Sequence, residues 1–118
     1  MHFDSFVSEE TFAAKIRGAG SAMREAEEHI ARAQALEKKV VAEKMLEAEG
    51  VDPVKNKSAA AQIRYADSTD AVYHARLEIG VARGMLAAAK GDFEACRIEF
   101  EKWRTDQASE RLEKRTYQ

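Results

Sequence analysis

The side chains in this sequence that could bind a metal ion are acidic residues and histidines. They fall in two groups, Glu25, Glu28 and His29 in the first half, and Asp70 and His74 in the second. Helical di-metal proteins place a glutamate and a Glu-x-x-His pair on inward-facing helix surfaces. The residue three before His29 is Ala26, which breaks that motif, so we expect these side chains to lie at solvated helix edges. No metal and no cofactor are predicted.

Nucleophilic and phosphate-binding chemistry also lack a motif. The single cysteine, Cys96, lies in an apolar pattern with no histidine at helical spacing, so we predict a small, buried and unreactive residue. Gly18 and Gly20 lie inside a helical pattern and follow no predicted strand, which excludes a dinucleotide-binding loop. The sequence contains no phosphate loop or nucleophile elbow. The chain is therefore predicted not to be an enzyme, with no catalytic residues.

Basic residues suggest nucleic-acid binding instead. The first basic region would gather near the turn of a hairpin and comprises Lys38, Lys39, Lys44, Lys55, Lys57 and Arg64. A second basic region comprises Arg97, Lys102, Arg104, Arg111, Lys114 and Arg115. Phe100 and Trp103 are interleaved with it, as in single-strand-binding grooves, but both fall on the apolar stripe and are predicted core residues. The net charge of −2 gives no overall attraction to nucleic acid, so a solvated surface is the alternative.

Two long amphipathic helices would position these residues. In the second half, apolar residues recur at alternating spacings of three and four: Val72, Ala75, Ile79, Ala82, Leu86, Ala89, Phe93, Cys96, Phe100 and Trp103. The first half repeats the pattern from Phe12 to Ala33, after which Glu37 interrupts it and the stripe is expected to resume, shifted, at Leu36. Large residues alternate with small ones in both stripes, which favours a close antiparallel neighbour. The predicted fold is all-α, a long antiparallel helical hairpin resembling a coiled coil.

One helical domain is predicted over residues 1–118. Helix A covers about 9–49, the turn about 50–57, and helix B with a C-terminal helical extension about 58–115. Ser5 or Ser8 is expected to cap helix A, and Gly50 to end it in a left-handed conformation. Helix B is expected to start either at the pair Asp52-Pro53 or after Ser58.

Apolar and small residues outside the main stripe predict a homo-oligomer. The predicted interface comprises Tyr73, Leu77, Gly80, Val81 and Gly84. Each glycine inside a helix costs up to about 1 kcal/mol relative to alanine, a cost that close packing would offset. No apolar run approaches the roughly 20 residues of a membrane span, and one cysteine fits a reducing compartment. We therefore expect a soluble, cytoplasmic protein without membrane contact.

The stretch from Lys38 to Gln118 resembles the UvsY family, the recombination mediators of T-even-type phages. The similarity lies in Lys38-Lys39-Val40, an apolar stretch reaching Leu46-Glu47, and a glycine-containing turn. Lys57-Ser58, the pair Ala66-Asp67 and a long second helix follow. The resemblance implies a small helical phage protein, in the host cytoplasm, that assembles into a ring-like oligomer, binds single-stranded DNA and helps load a recombinase onto strands covered by single-strand-binding protein.

The sequence departs from the family at one position that matters. The DNA-contacting stretch of the family corresponds to Glu43–Glu47, where only Lys44 is basic. The remaining cations of the first basic region would then take its place. A second hypothesis stays open, because the acidic net charge and apolar flanks also suit a helical adaptor or small inhibitor protein that binds other proteins and no nucleic acid.

Overall fold

The computed structural model of the protein describes residues 8–117, and they form three helices. These are α1 (Glu9–Val51), α2 (Ala59–Asp67) and α3 (Asp70–Tyr117), and no strand occurs in this part of the chain. The all-α prediction is confirmed. None of the helices in the described residues is long and apolar enough to cross a membrane.

Helix α1 begins at a serine cap. The Ser8 Oγ accepts a hydrogen bond from the Thr11 backbone N–H at 3.3 Å, and Glu9 and Glu10 lie in the first turn, where the helix dipole favours negative charge. Ser5, the alternative cap, lies outside the described residues. The helix then runs through Gly18 and Gly20 without a break for 43 residues, as the uninterrupted apolar repeat predicts.

The connection from α1 to α2 differs from the sequence prediction at two points. Gly50 lies inside α1, and no described glycine has a positive φ, so the prediction of a left-handed glycine end is wrong. The Asp52 carboxylate accepts from the Lys55 N–H at 3.0 Å, so Asp52 caps one isolated turn and does not start the helix. The start is set by Ser58, whose Oγ accepts from the Ala61 N–H at 3.1 Å.

Helix B was predicted to be continuous, and this prediction is wrong. The segment is divided into α2 and α3 at Ser68-Thr69. Both hydroxyls donate to backbone carbonyls at the end of α2, Ser68 to Tyr65 at 2.6 Å and Thr69 to Ala66 at 2.7 Å. The Thr69 Oγ1 also accepts weakly from the Val72 N–H at 3.4 Å, as a cap of α3. The hydroxyl side chains thus satisfy the backbone groups that the break exposes.

The described residues divide into two compact units. The first, here called the aromatic unit, comprises residues 8–24 and 87–117, and its core joins α1 to an antiparallel segment of α3. Phe12 is buried, and its ring centroid lies 5.5 Å from those of both Phe100 and Trp103. Cys96 is half-buried in the same stripe. Beyond residue 107 the described side chains of α3 are exposed, so the predicted C-terminal extension is helical but unpacked.

The second unit, here called the alanine unit, comprises residues 25–86 and contains the rest of α1, all of α2 and the start of α3. Apart from Val72, the buried apolar residues of this unit are all alanines: Ala26, Ala33, Ala48, Ala61, Ala66, Ala75 and Ala82. The α1 stripe was predicted to resume through Leu36, Val40, Val41, Met45 and Ala48. Leu36 is wrong, since it is 51% exposed, whereas the next three are half-buried and Ala48 is buried. Glu37 occupies the position that continues the regular repeat after Ala33, and it is half-buried there. Its carboxylate is paired with Arg76 of α3 at 3.3 Å. Each unit therefore contains an antiparallel α1–α3 pair, as predicted for a hairpin.

Candidate nucleic-acid interface

Five of the six residues predicted to bind nucleic acid are exposed cations of the alanine unit, and we call them the turn cations: Lys38, Lys39, Lys55, Lys57 and Arg64. Two lie on α1, two on the connection to α2, and one on α2 itself. Within residues 8–117 none of their side chains takes part in an ion pair. Their charges are therefore available to an external anion.

Lys44, the sixth predicted residue, is different. Its Nζ lies 2.7 Å from the Glu47 Oε2, and the Tyr65 hydroxyl donates to the Glu47 Oε1 at 3.2 Å. Hydrogen bonds from Lys44 and then Tyr65 lower the pKa of Glu47, and the bond to Glu47 raises the pKa of Lys44. Burial, followed by the bond to Glu47, raises the pKa of Tyr65. Tyr65 thus joins α2 to α1 through Glu47, and Lys44 is paired with that same carboxylate, which makes Lys44 a poor phosphate ligand.

Three acidic residues near the turn, Glu47, Glu49 and Asp52, accept local hydrogen bonds. Besides Glu47, the Glu49 carboxylate accepts from the Gln62 side chain at 2.8 Å, and Asp52 accepts from the Lys55 backbone. These carboxylates still carry negative charge, but each is directed to a donor of the protein. The neighbouring cations have no such partner, so the local surface offers more free donors than free acceptors.

A groove of about 590 Å³, here called the turn groove, brings two of the turn cations together. Lys55 from the connection and Arg64 from α2 both line it, beside the half-buried ring of Tyr65. Asn56 is buried at its edge, where its Nδ2 donates to the Ala48 carbonyl at 2.8 Å and fixes the connection to the end of α1. The turn groove combines cations with an aromatic ring on a fixed scaffold, as single-strand-binding surfaces do.

A second groove contains the histidines considered as metal ligands. His29 and His74 both line it, and the His29 Nε2 lies 3.0 Å from the Glu78 Oε1. Sequence analysis named both histidines but missed Glu78, one helical turn after His74. No group of three or more potential ligands that could hold a metal occurs among residues 8–117. The groove is lined mainly by apolar atoms of residues such as Leu36 and Val40.

A third groove, here called the side groove, lies between α1 and α3 and has a volume of about 500 Å³. Residues that line it include Gln34, Glu37, Lys38, Arg76, Gly80 and Arg83. Sequence reading selected Lys38 but missed Arg76 and Arg83. The spacing could have identified them, since Arg76, Gly80 and Arg83 lie four and three residues apart and therefore share one side of α3.

The predicted oligomer interface forms an apolar surface on α3, here called the outer stripe: Tyr73, Leu77, Gly80, Val81 and Gly84. Its large side chains are between 52% and 61% exposed. A Cβ built on Gly80 or Gly84 would meet no atom within 4 Å, so packing inside the described chain does not require glycine there. The interface itself stays a prediction.

In the second basic region, two of the arginines already contact other side chains of the protein. Arg97 pairs with Glu94 and, at 2.9 Å, with Glu101 on the same helix. The Arg104 guanidinium lies 5.7 Å from the centre of the Phe100 ring. Because Phe100 and Trp103 pack on Phe12, they belong to the core, as the sequence predicts, and do not form a stacking platform.

No protein-family model, curated protein or solved structure matches this chain. The proposals that follow therefore rest on the geometry of the described residues and on the resemblance noted from the sequence.

Proposed function

We propose that this protein is a non-catalytic single-stranded-DNA-binding protein that acts as a recombination mediator. The observation that carries the proposal is the contrast between the turn cations and Lys44. All five turn cations are exposed without an ion pair in the described residues, whereas Lys44 is held by Glu47. Cations that stabilise only the fold are usually paired or dispersed, and free cations beside an aromatic groove favour phosphate and base contacts.

Binding by one chain would be weak, since the net charge is −2 and a few phosphate contacts supply little affinity. Assembly removes this difficulty, because repeating a weak site on a closed oligomer raises avidity without new contacts. The outer stripe supports assembly, since about half of each large apolar side chain on it faces solvent. The proposed active form is therefore a homo-oligomer.

A fluorescence-polarisation titration with a labelled oligo-dT strand tests DNA binding. We expect the wild-type protein to bind at about 50 mM salt and to lose most of its affinity at about 200 mM, because phosphate contacts release counterions. The double variant Lys55→Ala/Arg64→Ala should bind at least about tenfold more weakly, because two charge-assisted hydrogen bonds to the strand are removed.

The matched control is Arg17→Ala/Arg24→Ala, which removes two exposed arginines of the aromatic unit. It changes the net charge by the same amount and should bind normally. Absence of binding by the wild type at low salt, or affinity that does not respond to salt, would refute the proposal. Equal losses of affinity in the two double variants would show that net charge, and not the position of Lys55 and Arg64, determines the affinity for DNA.

The mediator role adds a protein partner. We expect the DNA-bound oligomer to increase strand coverage by a strand-exchange recombinase on DNA already coated with single-strand-binding protein. Recombinase ATP hydrolysis, which depends on coverage, measures this. An unchanged lag before hydrolysis would reject the mediator role and leave a simple DNA-binding protein.

The outer stripe favours a second function, that of a helical adaptor or inhibitor that binds another protein and no nucleic acid. Light scattering separates the two. Self-association through the stripe gives a mass several times 13.2 kDa, whereas an adaptor whose stripe awaits a different protein stays near 13.2 kDa at micromolar concentration. A monomer that fails to bind oligo-dT would favour the adaptor.

A further inference from the structure

Among the three grooves described above, the side groove has the most cations in its lining. Lys38, Arg76 and Arg83 line it beside one acidic residue, Glu37, and Asp67 pairs with Arg76 from outside the lining. The turn groove has two cations and Asp52. The groove that contains His29 and His74 has one arginine, Arg32, and one glutamate, Glu78.

Arg76 gives this groove a fixed donor. Its Nε pairs with Glu37 of α1 at 3.3 Å, and its Nη2 pairs with Asp67 of α2 at 2.7 Å. These bonds, first that to Asp67 and then that to Glu37, raise the pKa of Arg76. A guanidinium has five N–H donors in a planar fork. Two carboxylates therefore orient the fork, and N–H groups remain for an external oxygen atom.

Arg83 and Lys38 flank this fixed donor from α3 and α1. Both are exposed, and neither forms an ion pair within residues 8–117. Gly80 lies between Arg76 and Arg83 on α3, and a Cβ there would point into open space. Gly80 thus adds no side-chain atoms between the two arginines, which leaves room there for a phosphate group.

The side groove also lies close to the turn cations. Arg64 precedes Asp67 by three residues on α2, so the two side chains are neighbours on the helix surface. Asp67 in turn holds Arg76. Arg64 of the turn groove and Arg76 of the side groove are therefore both neighbours of Asp67, within the alanine unit.

We propose that the side groove binds backbone phosphates of the single-stranded nucleic acid, with Arg76, Arg83 and Lys38 as ligands. This inference rests on the proposed function and extends it from the turn to the side of the α1–α3 pair. No aromatic ring lines the groove within the described residues, so recognition there is of phosphate and not of base. Oligo-dT and oligo-dA should lose equal shares of their affinity when the groove is altered.

The test is the double variant Lys38→Ala/Arg83→Ala in the same polarisation assay, with Arg17→Ala/Arg24→Ala as control. Arg76 is left intact because its ion pairs join three helices. We expect at least about tenfold weaker binding. The slope of log affinity against log salt should become shallower by about 0.7 for each phosphate of the single strand that the variant no longer binds.

A second variant changes the groove without removing a cation. Gln34 lines the groove from α1, at an exposed position outside the outer stripe, and Gln34→Glu adds a carboxylate there with nearly unchanged shape and helix propensity. Gln107→Glu, in the aromatic unit, is its control. We expect Gln34→Glu to weaken binding about threefold or more and Gln107→Glu to have little effect. Light scattering on the same samples checks that both proteins keep the mass of the wild type.

The outcomes separate this proposal from the one on which it rests. If the wild type does not bind oligo-dT, both fall. If the wild type binds and the Lys38→Ala/Arg83→Ala protein binds equally well, the side groove is refuted, and DNA binding through the turn groove stands. Weaker binding with an unchanged salt slope would also refute the groove, because a protein that neutralises fewer phosphates releases fewer counterions.

Discussion

The aromatic unit and the alanine unit use the same pair of helices in different ways. In the aromatic unit, α1 and α3 meet through three large rings, those of Phe12, Phe100 and Trp103. In the alanine unit the contact residues are small. Polar contacts between the helices accompany them, a hydrogen bond between His29 and Glu78 and an ion pair between Glu37 and Arg76.

The difference has an energetic meaning. Large rings bury much apolar area and supply most of the local stability, whereas each alanine buries little. An alanine contact instead brings two backbones close together and fixes their register, and the polar side chains at its edge remain near the surface. The alanine unit also contains all the turn cations and the side groove. The aromatic core and the surfaces proposed to bind nucleic acid thus lie in different units.

The largest expected effect is on the aromatic unit. Phe12→Ala removes the buried ring that contacts both other aromatics, so we expect the free energy of unfolding to fall by about 3 kcal/mol. Urea unfolding followed by the fluorescence of Trp103, the single tryptophan, measures it. Leu112→Ala, at a side chain that is 64% exposed, is the control and should change stability by less than about 0.5 kcal/mol. Equal effects would contradict an aromatic core.

The second prediction concerns the close contact in the alanine unit. Ala82 is fully buried, so Ala82→Leu must force the helices apart or strain the new side chain, at a cost of about 1–3 kcal/mol. Ala42→Leu, at an exposed site on α1, adds the same atoms and should leave the urea midpoint nearly unchanged. A stable Ala82→Leu protein would show that the small residues do not serve close packing.

These two cores were predictable from the sequence to different degrees. Apolar spacing alone identifies the stripe from Val72 to Trp103, since periodicity depends only on which side chains avoid water. The position of Glu37 was not predictable, because its place in the stripe depends on Arg76, 39 residues away. Whether a charged residue lies in a helix–helix contact can be predicted only when the partner helix and its register are known.

The candidate site shows the same limit. Residue type and position near the turn identified the turn cations, but no local signal distinguishes Lys44 from them. Lys44 pairs with Glu47 three residues further along α1, but Lys39 lies four residues before Glu43 and forms no ion pair in the described residues, so spacing alone does not decide the pairing. The break at Ser68-Thr69 did have a local signal, since hydroxyl residues before Asp70 favour a cap, yet the helical periodicity around it is stronger. That break is what allows Asp67 to reach Arg76.

A smaller effect is expected at the connection between α1 and α2. Asn56 is buried, and its side chain donates to the Ala48 carbonyl, so Asn56→Ala should cost about 1 kcal/mol by removing this hydrogen bond. The Ala48 carbonyl then keeps only the Asp52 N–H, at 3.2 Å. Hydrogen exchange should quicken first at α2 amides such as that of Gln62. Lys57→Ala, at an exposed neighbour, serves as the control. Unchanged exchange in Asn56→Ala would mean that the turn groove does not depend on this bond.

The smallest effect compares one carboxylate from each unit. Glu47 bridges α1 and α2, whereas Glu94 pairs with Arg97 inside α3, and in both cases the pairing lowers the pKa of the glutamate. Their contributions to stability are therefore present above the ordinary value of 4.5 and are lost as the pH falls through the lower value in the folded protein. In Tyr65→Phe, the pKa of Glu47 should rise but stay below its ordinary value, because Lys44 remains as the larger cause. The pKa of Glu94 should not change. A carbon-detected NMR titration of the two carboxyl groups measures both, and a Glu47 that titrates identically in the wild type and Tyr65→Phe would remove Tyr65 from the contact between α1 and α2.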